Sequence, residues 1–463
     1  MPSFLMDEGR MATRKIARNA ATPKGFLRRV GDCEFEKVDD PRHDSWVKHP
    51  LAGMLKLGTL ALASRARSTR SVEARSTRMH PKVRKELKLK SRIADNTFGQ
   101  TLPDIDWQQC RRGLHRQVKA EWRRGNLRPS QLNKSTVAID GKHLATVPER
   151  RLRGMVSREA ELDGDELTVT EMQRIFRWRY PYVQLQEAKE GLRGMVRAHR
   201  ATLVSSGAAV TLDQWPVAGK TNEWTTIEST LSTLLAAYGR TQMVQRVTLD
   251  AGNATPKAAS LLNEESVDYL MALKSPQSEL YDKARTLLKD RPGSQADYDI
   301  RIDERGKMIC YSVWQTDLDG PEGFAGGRQL VRIERVVASD DGDVDVGNRY
   351  FVSSEPTDEL DGKQALAVAR AHWRCENEGH WTADAIFDED ARRTPWTQHP
   401  DGILVVGLLR AIAINILAVL RALSRLSGDD QWVKPTWKMV AEHALMTLFA
   451  PVLETGDFDA FDA

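Results

Sequence analysis

Along this 463-residue chain the spacing of apolar residues switches repeatedly between a helical period and strand-like runs. Residues 46–63 (WVKHPLAGMLKLGTLALA) space apolar and small residues as a buried helix does. Short β-branched runs at 135–140, 200–205, 208–213, 244–249 and 267–273 predict strands. The runs at 200–205 and 208–213 meet at Ser206-Gly207 and predict a hairpin. Helical spacing at 223–238, set by Ile227, Leu231, Leu234 and Leu235, and again at 255–266, fills the intervals. Residues 295–353 break into alternating runs (ADYDIRI, KMICYSVWQT, RQLVRIERVVAS, NRYFVSS) separated by Asp, Gly and Pro, which predicts a β-rich region. An alanine- and arginine-rich helix should start near Asp361 and run to about Trp381, and an apolar helix over 402–425 should pack on the sheet. The charged stretch 146–199 predicts a helical insertion. Strand, hairpin, helix, strand, helix, strand is the order of an α/β fold.

Charge divides the chain. Apolar residues make up 41%, enough for a large core and too many for a disordered chain. Residues 1–134 hold 30 Lys and Arg against 14 Asp and Glu, while the remainder holds 38 against 50, so the formal net charge of +4 hides a basic N-terminal third and an acidic body. Between Arg65 and Arg92 stand eleven basic residues and two acidic ones. Arg65, Arg67, Arg70, Arg75, Arg78, Lys82, Arg84 and Lys85 are therefore candidate contacts to nucleic-acid phosphate. A turn with N-cap signals at Asn96 and Thr97 and a basic amphipathic helix follow. The cluster FRWRYPY at 176–182 suits base stacking as well as it suits a helical hairpin with buried aromatics. Four scattered cysteines show neither metal-ligand spacing nor a disulfide framework. The N-terminus lacks a signal-type apolar core, and the charge-free piece 411–420 is too short to span a bilayer. A cytoplasmic, nucleoid-associated protein with no membrane role is expected.

Three acidic residues carry the candidate chemistry. Asp140 in VAIDGK and Asp250 in VTLDAGN each close an apolar run, which places each carboxylate at a strand tip. Glu376 in RAHWRCENEGHW falls on the predicted arginine-rich helix. Carboxylate oxygen is the donor that hard divalent cations prefer, and a metal pair activates an attacking oxygen while stabilising a leaving one. Two Mg²⁺ ions, with Mn²⁺ as a substitute, are the expected cofactors.

The blocks VAIDGKHL, LDQWPVAGKTNEWTTI, VTLDAGNATPKAASLLNEESVDYLMALKSPQ, RYFVSS, RAHWRCENEGHWTADAIFDEDARR and LLRAIAINILAVLR occur in that order over roughly residues 136 to 425. This ordered set resembles the DDE transposases of bacterial insertion sequences, of the H-repeat-associated (ISAs-type) branch. The resemblance implies a ribonuclease H-like mixed sheet flanked by helices, a β-rich insertion before the catalytic helix, and a helical basic N-terminal domain. It divides the chain into a basic flexible arm (1–40), a helical DNA-binding domain (41–134), and a first part of the catalytic core (135–294) holding the insertion 146–199. The β-rich insertion (295–353), a second part of the core (354–430), and a C-terminal helix with an acidic tail (431–463) follow. It makes Asp140, Asp250 and Glu376 the metal-binding catalytic trio. Lys142, Lys220, Asn222, Arg370, His372 and Trp373 become further DNA contacts, Asn222 also serving as a cap for the next helix. His380, Asp384, Glu389 and Asp390 match later family positions, and Lys274 and Gln277 match a lysine and a glutamine in a segment that here reads LKSPQ. The implied partners are double-stranded DNA, as element ends and target, and a second copy of the chain on that DNA. Two alternatives share these residues: a domesticated DNA-binding or regulatory protein, and a nuclease that cuts without joining.

Overall fold

The computed structural model describes residues 20–160, 167–189, 191–218, 223–275, 279–304, 307–320, 323–338, 344–389, 396–427 and 435–450. Among them ten strands form one mixed, mostly antiparallel sheet. They are β1 (Thr136–Pro148), β2 (Val183–Ala188), β3 (Gly191–Leu203), β4 (Val210–Pro216), β5 (Arg246–Leu249), β6 (Asp268–Leu273), β7 (Tyr298–Glu304), β8 (Lys307–Asp317), β9 (Gln329–Ala338) and β10 (Val344–Ser353). The order is β2-β3-β1-β5-β6-β10-β9-β8-β7, with β4 also paired to β3. Only β1–β5 and β5–β6 pair in parallel. All four residues of β5 are buried, as expected of a central strand covered on both faces.

Helices α1 (Pro23–Gly31), α2 (Leu51–Ala63), α3 (Thr69–Arg78), α4 (Pro81–Glu86), α5 (Asp95–Thr101) and α6 (Trp107–Arg123) precede the sheet. Helices α7 (Glu149–Ala160) and α8 (Val169–Arg179) follow β1, and α9 (Glu223–Tyr238), α10 (Pro256–Glu264) and α11 (Glu279–Leu288) alternate with the strands from β4 to β7. The chain closes with α12 (Gly362–His372), α13 (Trp381–Ala385), α14 (Pro400–Ser427) and α15 (Trp437–Phe449). This is an α/β arrangement, a mixed sheet flanked by helices, compatible with a ribonuclease H-like fold.

Helix α14 is the hub. Its segment Pro400–Ser424 is long and apolar enough to cross a membrane, yet its most apolar 18 residues are all buried inside the protein, against α2, α6, α15 and β4. Each Leu or Ile it buries is worth about 1.5–3 kcal/mol. Two polar residues interrupt the apolar run, and both have buried partners. Asn415 accepts from the Thr211 N–H at 2.7 Å and donates to the Thr211 carbonyl at 2.8 Å, so it satisfies the backbone of β4 beside its bulge. Arg410 meets Glu389 at 3.4 Å. Close approach needs glycine: a Cβ on Gly58 of α2 would lie 2.6 Å from the Phe98 ring of α5.

Three sequence expectations change. Within the stretch read as an arm, α1 buries Phe26 and Val30 in the main core. The stretch 146–199 holds the helices α7 and α8 but is one-third strand: β1 runs on to Pro148, and β2 and β3 occupy 183–188 and 191–199. Its strand residues were masked by their charge, which lies along a two-sided hairpin rather than a helix face. The β-rich stretch does not stand apart from the core sheet. β10 pairs antiparallel with β6, from Tyr350–Leu273 to Ser353–Leu270, so β7–β10 continue the sheet and cover the edge that β6 would otherwise expose.

Candidate active site

Asp140 and Asp250 are brought together by strand register. β1 and β5 pair in parallel, and their last register pair is Ile139 with Leu249. The two aspartates are the next residues, on strands about 4.8 Å apart. Asp250 lies just past the end of β5, as expected, and caps the following turn by accepting from the Asn253 N–H at 3.0 Å. Asp140 is not at a strand tip. β1 continues for eight more residues, paired with β3 alone, so Asp140 sits at the step where β5 stops. Both side chains remain partly exposed to solvent.

Glu376 arrives from the other side of the fold. α12 begins where the sequence predicts, with Asp361 as its N-cap accepting from the Gln364 N–H at 2.8 Å. It stops at His372, and Cys375–His380 winds as a wider π-helical turn before α13. Such turns are rare, and they concentrate at functional positions. Burial raises the Glu376 carboxyl above the usual carboxylate range; Arg349 opposes that, and the charge of Asp250 adds to it. Burial also pushes the neighbouring Cys375 thiol well up, and the charges of Asp140, Glu376 and Asp250 all push the same way. The charges of all three carboxylates thus act on one buried sulfur. Among the described residues, no three Asp, Glu, His or Cys side chains stand close enough to hold one metal ion as they are. The donor chemistry nevertheless fits a divalent cation: oxygen ligands only, with like-charge crowding that a cation relieves.

The segment after Glu376 is fastened to β1 and β3 by polar contacts and ion pairs. His380 Nδ1 lies 3.5 Å from Asp140 Oδ2. Lys142, buried on β1, is bonded to Asp384. Arg200, the register partner of Asp140 on β3, donates to both oxygens of Glu389 at 2.9 and 3.0 Å, and Arg410 closes the group from α14. Burial alone would raise the Glu389 carboxyl; Arg200 and Arg410 more than reverse this and hold it at about 2. Three histidines near the trio stay neutral because burial lowers them: His199 to about 4, His372 to about 4 and His380 to about 3.

The expected DNA contacts separate into three groups. Lys220 and Asn222, like Gln277 and Asp390, lie outside the described residues. Several others are turned inward. His372 is 9% exposed, with Nδ1 2.9 Å from the Thr248 hydroxyl, and Lys142 is committed to Asp384. Arg75 donates to Ser64 Oγ and to the Ser64 carbonyl, both at 2.7 Å, and Arg84 donates to the Ser76 carbonyl at 2.7 Å. Arg65 donates to the Ile386 carbonyl at 3.0 Å and Arg67 pairs with Asp388 at 2.7 Å, so both reach the segment that follows α13. Arg70, Arg78, Lys82 and Lys85 face solvent. Trp373 is 37% exposed beneath the Arg349 guanidinium, 4.2 Å from its ring, and Arg370 lies 5.0 Å from the Tyr311 ring. Of the aromatics in FRWRYPY, Phe176, Tyr180 and Tyr182 are buried and only Trp178, 84% exposed, points outward.

Sequence reasoning missed Arg200 and Arg349. Arg200 opens a run read as a strand start, and nothing local marks its pairing with a residue 189 positions later. Arg349 lies in the NRYFVSS run, where a period-two pattern was legible and a role was not. Asn253 was in plain view three residues after Asp250; it is fully buried, and its side chain meets the His199 ring.

No family model matches the chain. Among curated proteins, it is 22% identical over 247 residues to "Putative transposase YncI" of Escherichia coli O157:H7, a match covering 47% of this chain and 56% of that protein. It is 27% identical over 245 residues to "H repeat-associated putative transposase YhhI" of Escherichia coli strain K12, covering 50% of this chain and 60% of that protein. The chain therefore spans little more than half the length of the curated relatives it matches. Their names agree with the resemblance to H-repeat-associated transposases drawn from the sequence blocks.

Proposed function

We propose that this chain is a DNA transposase with a ribonuclease H-like core, which binds the ends of its element, cuts phosphodiester bonds there and joins the freed 3′-OH to target DNA. One observation carries the reading: Asp140 and Asp250 follow a single register pair on parallel strands, and Glu376 comes near enough to Asp250 for that charge to add to the rise of its carboxyl. Double-stranded DNA is the substrate, a second copy of the chain pairs the two ends, and the protein works in the cytoplasm on the nucleoid.

Asp140, Asp250 and Glu376 would hold two Mg²⁺, which supply an activated attacking oxygen and stabilise the leaving one. The remaining residues set the stage. His380 and Arg200 flank Asp140 and restrain its position. Arg349, exposed and stacked on Trp373, offers a guanidinium to a phosphate beside Glu376. Cys375 keeps its proton and plays no nucleophilic part. His199 and His372 are neutral at pH 7 and carry no charge to the substrate.

The test is cleavage and strand transfer on duplexes carrying the element's ends, with Mg²⁺, comparing wild type with Asp140→Ala, Asp250→Ala and Glu376→Ala. Each variant should lose both steps and still bind the ends. Retained cleavage by Glu376→Ala would remove the third carboxylate from the site. Cutting without joining by the wild type would leave a nuclease.

A further inference from the structure

At the far end of β1 from Asp140 lies a cavity of about 770 Å³ that the site above does not use. It lies between α5, the first turns of α7 and the residues just before α14. The N-terminal turns of α7 therefore border it, where a helix presents backbone N–H groups that it leaves unpaired. Arg150 and Arg151 line it from α7, Gln100 from α5, and Trp396, Gln398 and His399 from the segment before α14. Among the described residues, no Asp or Glu lines it. Arg151 is held in place by donating to Gln398 Oε1 at 2.7 Å. Trp396 is 3% exposed, and its indole N–H, a donor with no acceptor capacity, has no partner among the described residues.

We infer that this cavity is a phosphate-binding site, and that the phosphate it takes is one of the backbone of bound DNA. The inference rests on the DNA reading above and adds a second anchor to it. The eight residues from Asp140 to Pro148 span about 26 Å of strand, which corresponds to about seven or eight base pairs of duplex. A duplex engaged at the acidic trio and running along β1 meets the cavity at that spacing. Tyr180 Oη lies 3.2 Å from His399 Nε2, so the residue that follows α8 meets the segment lining the cavity. This gives the aromatic–basic cluster a place beside the cavity, with three of its rings buried and one exposed.

The experiment compares binding of two duplexes, extending about 5 and about 15 base pairs from the cut on the β1 side, across a salt series. Its proteins are the wild type, Arg150→Ala/Arg151→Ala and Arg150→Lys/Arg151→Lys. Both arginines are solvent-exposed, so thermal unfolding of all three should coincide. The wild type should favour the long duplex. The alanine pair should lose about tenfold on the long duplex alone and show a salt slope smaller by about two, and the lysine pair should restore most of both. Equal affinity and equal slope for wild type and the alanine pair would overturn the inference. Calorimetric titration with inorganic phosphate separates this from failure of the DNA reading. A wild type that binds phosphate through the two arginines but binds neither duplex would overturn the DNA-backbone assignment, and one that binds neither would overturn the site itself.

Discussion

The acidic edge formed by Asp140, Asp250 and Glu376 and the buried group Arg200–Glu389–Arg410 adjoin at the Asp140–Arg200 register pair of β1 and β3, and both use the same kind of carboxylate. They behave in opposite ways. Glu389 is fully enclosed and meets two guanidinium groups, so its carboxyl is held at about 2. Glu376 is only partly enclosed, has another carboxylate as neighbour, and is raised. Arg246–Glu355, bidentate at 2.6 and 2.7 Å between two buried side chains, repeats the first pattern behind β5. A carboxylate that is buried and matched serves the fold, whereas one that is crowded and unmatched at a solvent-reached edge is available to a ligand.

The largest expected effect breaks the comparison at the unmatched end. Glu376→Gln removes a crowded charge and leaves no buried cation unpaired. Cleavage should fall by about a thousandfold or more, while the urea midpoint stays the same or rises slightly. A variant that cuts normally, or one that unfolds early, would place Glu376 among the structural carboxylates.

Glu389→Gln should do the reverse. It leaves Arg200 and Arg410 buried without a counter-charge, and removing one partner of such a group costs about 3–5 kcal/mol. Denaturant unfolding measures the loss. Acid supplies the same test without mutation. The folded carboxyl keeps its charge down to about pH 2, whereas the unfolded one takes up a proton near its ordinary value of 4.5. Between those values the unfolded chain binds more protons, so the stabilisation is complete above about pH 4.5 and is lost as pH falls toward 2. In Glu389→Gln that part of the acid dependence should vanish. An unchanged acid limb would show that the ion group contributes nothing to it.

The two carboxylate classes were not equally legible beforehand. Asp140 and Asp250 could be read because a hydrophobic run followed by an acid is a local pattern, and register then does the rest. The start of α12 was readable from Asp361, a local cap. The π-helical turn at Cys375–His380 was not, because it reflects how α12 is pinned to β1 and β3 through His380, Asp384 and Glu389. Those partners lie far apart in sequence, and no period announces them. The same reason hid β2 and β3 within 146–199, where half-exposed strands carry charge on one face. It also hid the union of β7–β10 with the core sheet, since alternation reveals a strand and never its neighbour. Helix α14 was predicted as buried from apolarity alone, but why Arg410 and Asn415 are tolerated in it needed Glu389 and Thr211.

The smallest expected effect carries the same distinction to the basic residues. Arg75 and Arg78 share α3 and were equal candidates for DNA phosphate. Arg75 is half-buried and donates to the Ser64 hydroxyl and carbonyl at the C-terminus of α2, where orphan carbonyls and the helix dipole favour a cation. Arg78 is exposed in the last turn of its own helix. Arg75→Ala should cost about 1–2 kcal/mol of stability, with a DNA salt dependence unchanged once the folded fraction is allowed for. Arg78→Ala should leave the unfolding midpoint within about 0.5 kcal/mol and reduce the salt slope of DNA binding by about one. Exchanged outcomes, with Arg78 needed for folding and Arg75 for DNA, would mean that matched and unmatched charge do not sort structural from functional residues in this part of the protein.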